Sequence, residues 1–446
     1  MDITPLLLAR IQFLASFSFL ALFMALALAL SWMLLFFKVR SRLTGQAGWT
    51  SAYRFWVRIF ALCFVLGLAA CLPVMIQLGS IWSGLMDKIG NVAGPLLGYA
   101  VLSVFVLKSC FLGVMLFGQR RVSDIIHTLS VFMVAVGMLL AMAWMVAVLS
   151  WMQTPDGAAV VDGVYQVYDW FEVIFNPSFG WSLLLTVLAA ALAAAFLVMG
   201  VTALQTLRRP LGDGERNAFK AALVVAVLAS LLQALAAVGI GDVVSRYQPV
   251  KAATLAGYWH SGDEPELILL GWPDAQTQTN KVLVSIHGMG GRWLGRDAQG
   301  YLGLDKFTGP RPPVALSFWL LRGSVLLGML MAAVSVLTLM RTVLRGMELS
   351  VLGVRWRKML VFMTLSGCLS VVLGWGVSLV GLLPFVVNRS INLIDVLGPV
   401  STGALLYGMA GYAVLYTVLI VAFLGMLLHA VRYGVVPVRK TAGGTA

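Results

Sequence analysis

Apolar residues gather in nine runs, at about 13–37, 55–79, 93–117, 125–151, 180–205, 218–240, 314–340, 359–386 and 402–430. A helix needs about 20 such residues to cross the hydrocarbon of a bilayer. The pattern predicts an all-α integral membrane protein of about nine transmembrane helices. Connections between runs are short, with one exception. Residues 241–313 are polar, rich in turn residues, and include the strand-like stretch Lys281-Val-Leu-Val-Ser-Ile. A stretch of that length is expected to form a small ordered lobe on one membrane face. The chain thus divides into a six-helix part at 1–240, the lobe at 241–313, and a three-helix part at 314–446 with a short tail. No small-residue cleavage site follows the first run, which is expected to be a mature helix and not a signal peptide.

Charge orients the bundle. One face collects Lys38, Arg40, Arg42, Arg54, Arg58, Arg120, Arg121, Arg208, Arg209, Arg216 and Lys220. Arg341, Arg345, Arg355, Arg357, Lys358, Arg432, Arg439 and Lys440 fall there too, with only Asp124, Asp213, Glu215 and Glu348 among the acids. Basic loops stay in the cytoplasm. The expected topology has the N-terminus and the lobe outside (periplasmic) and the C-terminus in the cytoplasm.

Composition agrees. The chain is 60% hydrophobic and 11% charged, against roughly a quarter charged in soluble domains. The net charge of +13 is then a topology bias and predicts no nucleic-acid partner. Cys63, Cys71, Cys110 and Cys368 lie in apolar runs without C-x-x-C spacing, so neither a disulfide framework nor a metal site is expected. The acids all fall outside the runs, which argues against a proton pump or cation transporter. Lys108 is the one ionisable residue near the middle of a run. It is expected either to reach water in a cavity or to meet an acidic group of a partner or cofactor.

Several segments carry a resemblance, in order and spacing. They are Ala9-Arg10-Ile11-Gln12-Phe13, Arg54-Phe55-Trp56-Val57-Arg58-Ile59-Phe60 and Trp151-Met152-Gln153-Thr154-Pro155-Asp156-Gly157. Tyr247-Gln248-Pro249-Val250-Lys251-Ala252-Ala253 and Leu270-Gly271-Trp272-Pro273-Asp274 follow, then Arg322 with Gly328, and Leu415-Tyr416-Thr417. Together they resemble subunit I of the cytochrome bd quinol oxidases over nearly the whole chain. That family has a nine-helix bundle and one long outer loop after the sixth helix. The resemblance makes Gln248 and Lys251 candidate quinone-loop residues and puts Ala256 at the loop's glutamate.

The resemblance also implies three haems, held in the family by histidine, methionine and glutamate within the helices. Here the first-helix histidine position falls on Leu20 and the fifth-helix one on Leu185. The methionine position is Ser324, the third-helix glutamates are Ala100 and Lys108, and the ninth-helix glutamate is Phe423. His127, His260, His287 and His429 are expected near helix ends or in the lobe, away from mid-membrane depth. Cysteine or methionine could ligate haem iron instead, though both more often serve as core packing. The alanines at 189–191 and 193–195 are expected to let the fifth helix pack closely, into volume that a haem occupies in the relatives.

Two stretches imitate catalytic motifs. His287-Gly288-Met289-Gly290 after a strand looks like part of a hydrolase oxyanion hole, but no nucleophile elbow accompanies it. Gly239-Ile240-Gly241-Asp242 lacks the context of a dinucleotide fingerprint and is expected to close the sixth helix. The reading that follows is a pseudo-subunit. It is a haem-less, non-catalytic structural component of a cytochrome bd-type respiratory oxidase in the bacterial inner membrane, with no cofactor of its own. It would pair with a haem-bearing subunit I-like protein that carries haems b and d, and with small accessory subunits. Alternatives are a quinone-binding or quinol-sensing membrane protein, a subunit with unconventional haem ligands, and an anion path lined by Lys108.

Overall fold

The computed structural model describes residues 4–262, 265–298 and 300–434, without the side chains of Lys108 and Leu283. Arg439 and Lys440 therefore lie outside the described residues. Among those described, nine helices are long and apolar enough to cross a membrane. Each predicted run overlaps one of them.

The first helix, Pro5–Thr44, is 40 residues long and overshoots its predicted run at both ends. Thr4 caps its start by accepting from the Leu7 N–H, and Pro5 occupies the first turn, where no N–H is needed. It stops at Gly45, whose φ of +67° is left-handed and lets its N–H bond back to the Ser41 carbonyl. The second helix, Ala47–Ser80, packs along it as the most extensive pairing in the bundle.

The first helix and the fifth, Phe179–Thr206, form the centre. Ala193, Ala194 and Ala195 are fully buried, and so are Leu26, Ala27 and Leu30. A helix that is apolar on every side belongs inside a large bundle. Small residues set its spacing: a Cβ placed on Gly367 of the eighth helix would lie 2.3 Å from the Ala193 Cα. The close packing expected of the alanine run is present. The third and ninth helices turn broad apolar faces outward, including Phe105, Tyr407 and Val421.

Basic loops on one face are tied by their few acids. Lys38 and Arg42 meet Asp124, Arg209 meets Glu215, and Arg216 lies 3.9 Å from Asp213. Lys220 and Arg216 lie 3.1 and 3.7 Å from Glu348.

Five details depart from the expectation. The third helix holds a π-turn at Leu107–Leu112, around Lys108. The sixth helix, Asp213–Tyr247, does not close at Gly239–Asp242. There the missing side chains admit Trp181 and Trp293, whose rings sit where a Cβ would be. The lobe thus starts after Tyr247. The eighth helix ends at Val380, not 386, because Pro384 cannot continue it and Phe385–Val387 pairs with Ile391–Asn392 as a hairpin. The connection between the fourth and fifth helices is not a simple turn. It holds a hairpin, Ala158–Val161 with Val164–Val167, and a short helix, Trp170–Ile174. Finally, Asp87, Asp124, Asp213, Glu215 and Asp242 lie within the helices, in their end turns.

The lobe is built on the helix Pro249–Ala256, which Gly257 ends at φ +71°. The strand-like 281–286 segment is a strand, Thr279–Ile286, paired antiparallel with Leu267–Asp274. A small second core of Ala253, Trp259, Leu294, Leu304 and Val314 joins this lobe to the seventh helix, Val314–Thr342.

Candidate functional site

Two sets of predicted residues can be located: the quinone-loop candidates and the expected haem-ligand positions. The first set forms one buried polar cluster. Pro249 starts a helix whose first turn carries Lys251 inward, beneath the last turn of the fourth helix. Lys251 Nζ donates to Gln153 Oε1 at 2.7 Å and to the Ser378 carbonyl at 3.2 Å. Gln153 Nε2 donates to the same Ser378 carbonyl at 3.1 Å. Gln248 Nε2 donates to the Gln153 backbone carbonyl at 2.9 Å. Gln248, Lys251 and Gln153 are all under a tenth exposed. No carboxylate takes part in these contacts. Burial without a counter-charge pushes Lys251 down to about 7.

The other end of the same short helix is held by Arg322. Its guanidinium donates to the Leu255 carbonyl, to the Ala256 carbonyl at 3.3 Å, and to the Ile268 carbonyl at 2.8 Å. The last carbonyls of a helix lack internal partners, and a cation suits the negative end of its dipole. Phe318, one turn earlier, stacks under the charge, with the guanidinium carbon 3.4 Å from the ring centroid. Ala256 contributes only its carbonyl to this arrangement. Gln153 and Arg322 stand out in the sequence as parts of motifs, while their work as anchors of the loop helix is visible only in the fold. Ser378 carries no sequence signal, because it contributes mainly a backbone carbonyl.

At the expected haem positions the structure shows packing. Leu20 is 7% exposed and Phe423 4%. Phe423 meets Phe23 edge-on, with centroids 5.2 Å apart. Phe23 meets Phe19 at 4.9 Å, and Phe19 stacks on Tyr416 at 4.5 Å. An aromatic ladder therefore fills the seam between the first and ninth helices. Leu185 packs against the main core, Ala100 is buried, and the Ser324 hydroxyl donates to the Leu321 carbonyl at 2.8 Å. The side chain of Lys108 lies outside the described residues. Leucine, alanine and phenylalanine carry no donor atom, and the serine hydroxyl is engaged, so these positions do not fit haem iron.

The histidines fall elsewhere. His127 sits in the first turn of the fourth helix, its ring 3.3 Å from the Met115 carbonyl and edge-on to Tyr53. His429 stacks near Tyr433 in the last turn of the ninth helix. His287 meets Glu266 at 2.8 Å on an exposed hairpin, and His260 is exposed. Among the described residues, no three of the histidines, cysteines and acids come close enough together to hold a metal ion. The strand before His287 belongs to a two-stranded hairpin.

Superposition on the structure of bd oxidase from Geobacillus thermodenitrificans gives a TM-score of 0.86 at 20% identity, covering 96% of this chain and 98% of that one. The chain belongs to the cytochrome bd terminal oxidase subunit I family, whose model matches residues 8–435. It is 25% identical to cytochrome bd ubiquinol oxidase subunit 1 of Bacillus subtilis (strain 168), over 96% of this chain and 94% of that protein. It is 28% identical to cytochrome bd-II ubiquinol oxidase subunit 1 of Escherichia coli (strain K12), over 63% of this chain and 56% of that protein. It is thus a multi-pass protein of the bacterial inner membrane.

Proposed function

We propose that the chain is a haem-less, non-catalytic subunit of a bd-type respiratory oxidase complex, paired with a haem-bearing subunit I-like partner. The observation that carries this reading is the filled seam. Leu20 and Phe423 stand where the resemblance expects a histidine and a glutamate, and an aromatic ladder packs around them. A bundle emptied of its cofactors would carry cavities costing several kcal/mol, and large apolar replacements remove that cost. In such a complex this subunit would shield the partner's haems from lipid and complete the helix interface. The basic face would be cytoplasmic and the lobe periplasmic.

The quinone-loop residues support the same reading. Lys251 and Gln248 are already engaged with Gln153 and Ser378, so in this arrangement they hold the loop helix.

The test is a haem assay on two samples, the complex purified from its native membrane and this chain expressed alone. The expected result is haem in the complex, none in the isolated chain, and a histidine-bearing subunit I among the co-purified proteins. A stoichiometric haem spectrum from the isolated chain overturns the reading. A haem-free homodimer purified with bound quinone favours the quinone-binding alternative.

A further inference from the structure

Where the seventh helix leaves the bundle on the basic face, its last turns and the Val351–Gly353 turn enclose an open cleft of about 350 Å3. Arg341 and Arg345 line it, together with Met340 and Leu344. Arg341 is held in place. Its guanidinium carbon lies 3.8 Å from the centroid of Trp356, and the Trp356 Nε1–H donates to Thr338 Oγ1 at 2.9 Å. Stacking covers one face of the guanidinium and leaves its in-plane N–H donors free for a tetrahedral oxyanion. No acid neutralises the cleft. Glu348, the nearest acid in sequence, is taken by Lys220 and Arg216. Among the described residues neither Arg341 nor Arg345 forms an ion pair.

The apolar surroundings decide the source of the oxyanion. Leu337, Met340 and Leu344 follow one another along one face of the helix, and they are 42%, 66% and 95% exposed. A leucine almost wholly exposed beside two arginines, at the end of a membrane-spanning helix, sits where acyl chains meet headgroups. We infer that this cleft binds an anionic phospholipid, its phosphate on Arg341 and Arg345 and its acyl chains along Leu337, Met340 and Leu344. Basic pockets at helix ends on one leaflet are suited to such headgroups. This inference does not depend on whether the chain holds haem.

The test counts lipid retained by the purified complex after detergent exchange, by mass spectrometry. The wild type is compared with an Arg341→Gln, Arg345→Gln double variant. An Arg120→Gln, Arg121→Gln variant on the same face serves as the charge-matched control. Two interfacial arginines should be worth roughly thirtyfold in retained phosphatidylglycerol or cardiolipin. The control should retain wild-type amounts, and phosphatidylcholine should not differ between samples. Equal retention in all three overturns the inference. Displacement of the lipid by millimolar inorganic phosphate would make this a soluble-anion site and also overturn it. Loss of a partner subunit with lipid unchanged would make it a protein interface, with the same consequence. Arg345→Gln alone, at an exposed side chain, should lower retention partway and serves if the double variant does not fold.

Discussion

The seam between the first and ninth helices and the docking site of the loop helix lie in one bundle and treat polarity in opposite ways. The seam holds Leu20 and Phe423, where the family resemblance expects iron ligands, with Phe19 and Phe23 packed beside them. The docking site holds Gln153, Gln248, Lys251 and Arg322, all buried and all hydrogen-bonded. One region is apolar and closely packed. The other has kept donor atoms inside the protein, where each must find an acceptor. The contrast separates what holds this architecture together from what would hold a cofactor in it. The family fold is present with its loop helix pinned, while Leu20 and Phe423 pack against apolar neighbours.

The sharpest way to break the comparison is Phe423→Ala. If the seam is packing, this change opens a cavity and costs about 4 kcal/mol, read as a lowered Tm of the detergent-solubilised protein. A neutral Phe423→Ala would mean that the seam is loose and that the filled-cavity argument fails. Next in size is Arg322→Met, which leaves the carbonyls of Leu255 and Ile268 buried and unpaired. About 3 kcal/mol is expected, and limited proteolysis should show cleavage within 249–286 before the bundle melts. Gly367→Ala comes third. Its new methyl would press on the backbone of Ala193 at 2.3 Å, for about 2 kcal/mol of overpacking. No change in Tm there would place the fifth and eighth helices further apart than described.

The fourth test is a pH slope, comparable in size to the loss at Arg322. Lys251 sits at about 7 in the fold, below its ordinary 10.5. The unfolded chain therefore binds the proton more readily between those two values. Stability should rise as pH increases from about 7 towards 10.5, and the full penalty of the buried charge applies below 7. A thermal-melt series from pH 6.5 to 9.5 should show this rise in the wild type. The part due to Lys251 should vanish in Lys251→Met. An unchanged slope in that variant would show that Lys251 reaches water.

Legibility differed between the regions for physical reasons. The bundle could be read from the sequence because the bilayer imposes length and polarity on every span. The Gly241 region and the end of the eighth helix escaped, since hydropathy cannot see that a glycine admits a tryptophan ring, or that the chain after Val380 turns into a hairpin. The π-turn at Leu107–Leu112 leaves no compositional trace. At the docking site Gln248 and Lys251 could be picked out through the resemblance. Their partners Gln153 and Ser378 lie 98 and 127 residues from Lys251, and no local pattern links them. The seam could be read only as a list of replacements. That Phe19, Phe23 and Tyr416 join Phe423 in one ladder required the fold.

The length of the first helix has a consequence outside the bilayer. Forty residues rise roughly 60 Å, about twice the thickness of the hydrocarbon slab. The second helix lies alongside it for much of that length. Even with tilt, the first helix must run past the hydrocarbon at both ends, and beside the Gly45 turn the start of the second helix packs against the start of the sixth. The Gly45 turn itself is uncrowded, so an insertion there would give microscopists a place for a tag on the face opposite the lobe.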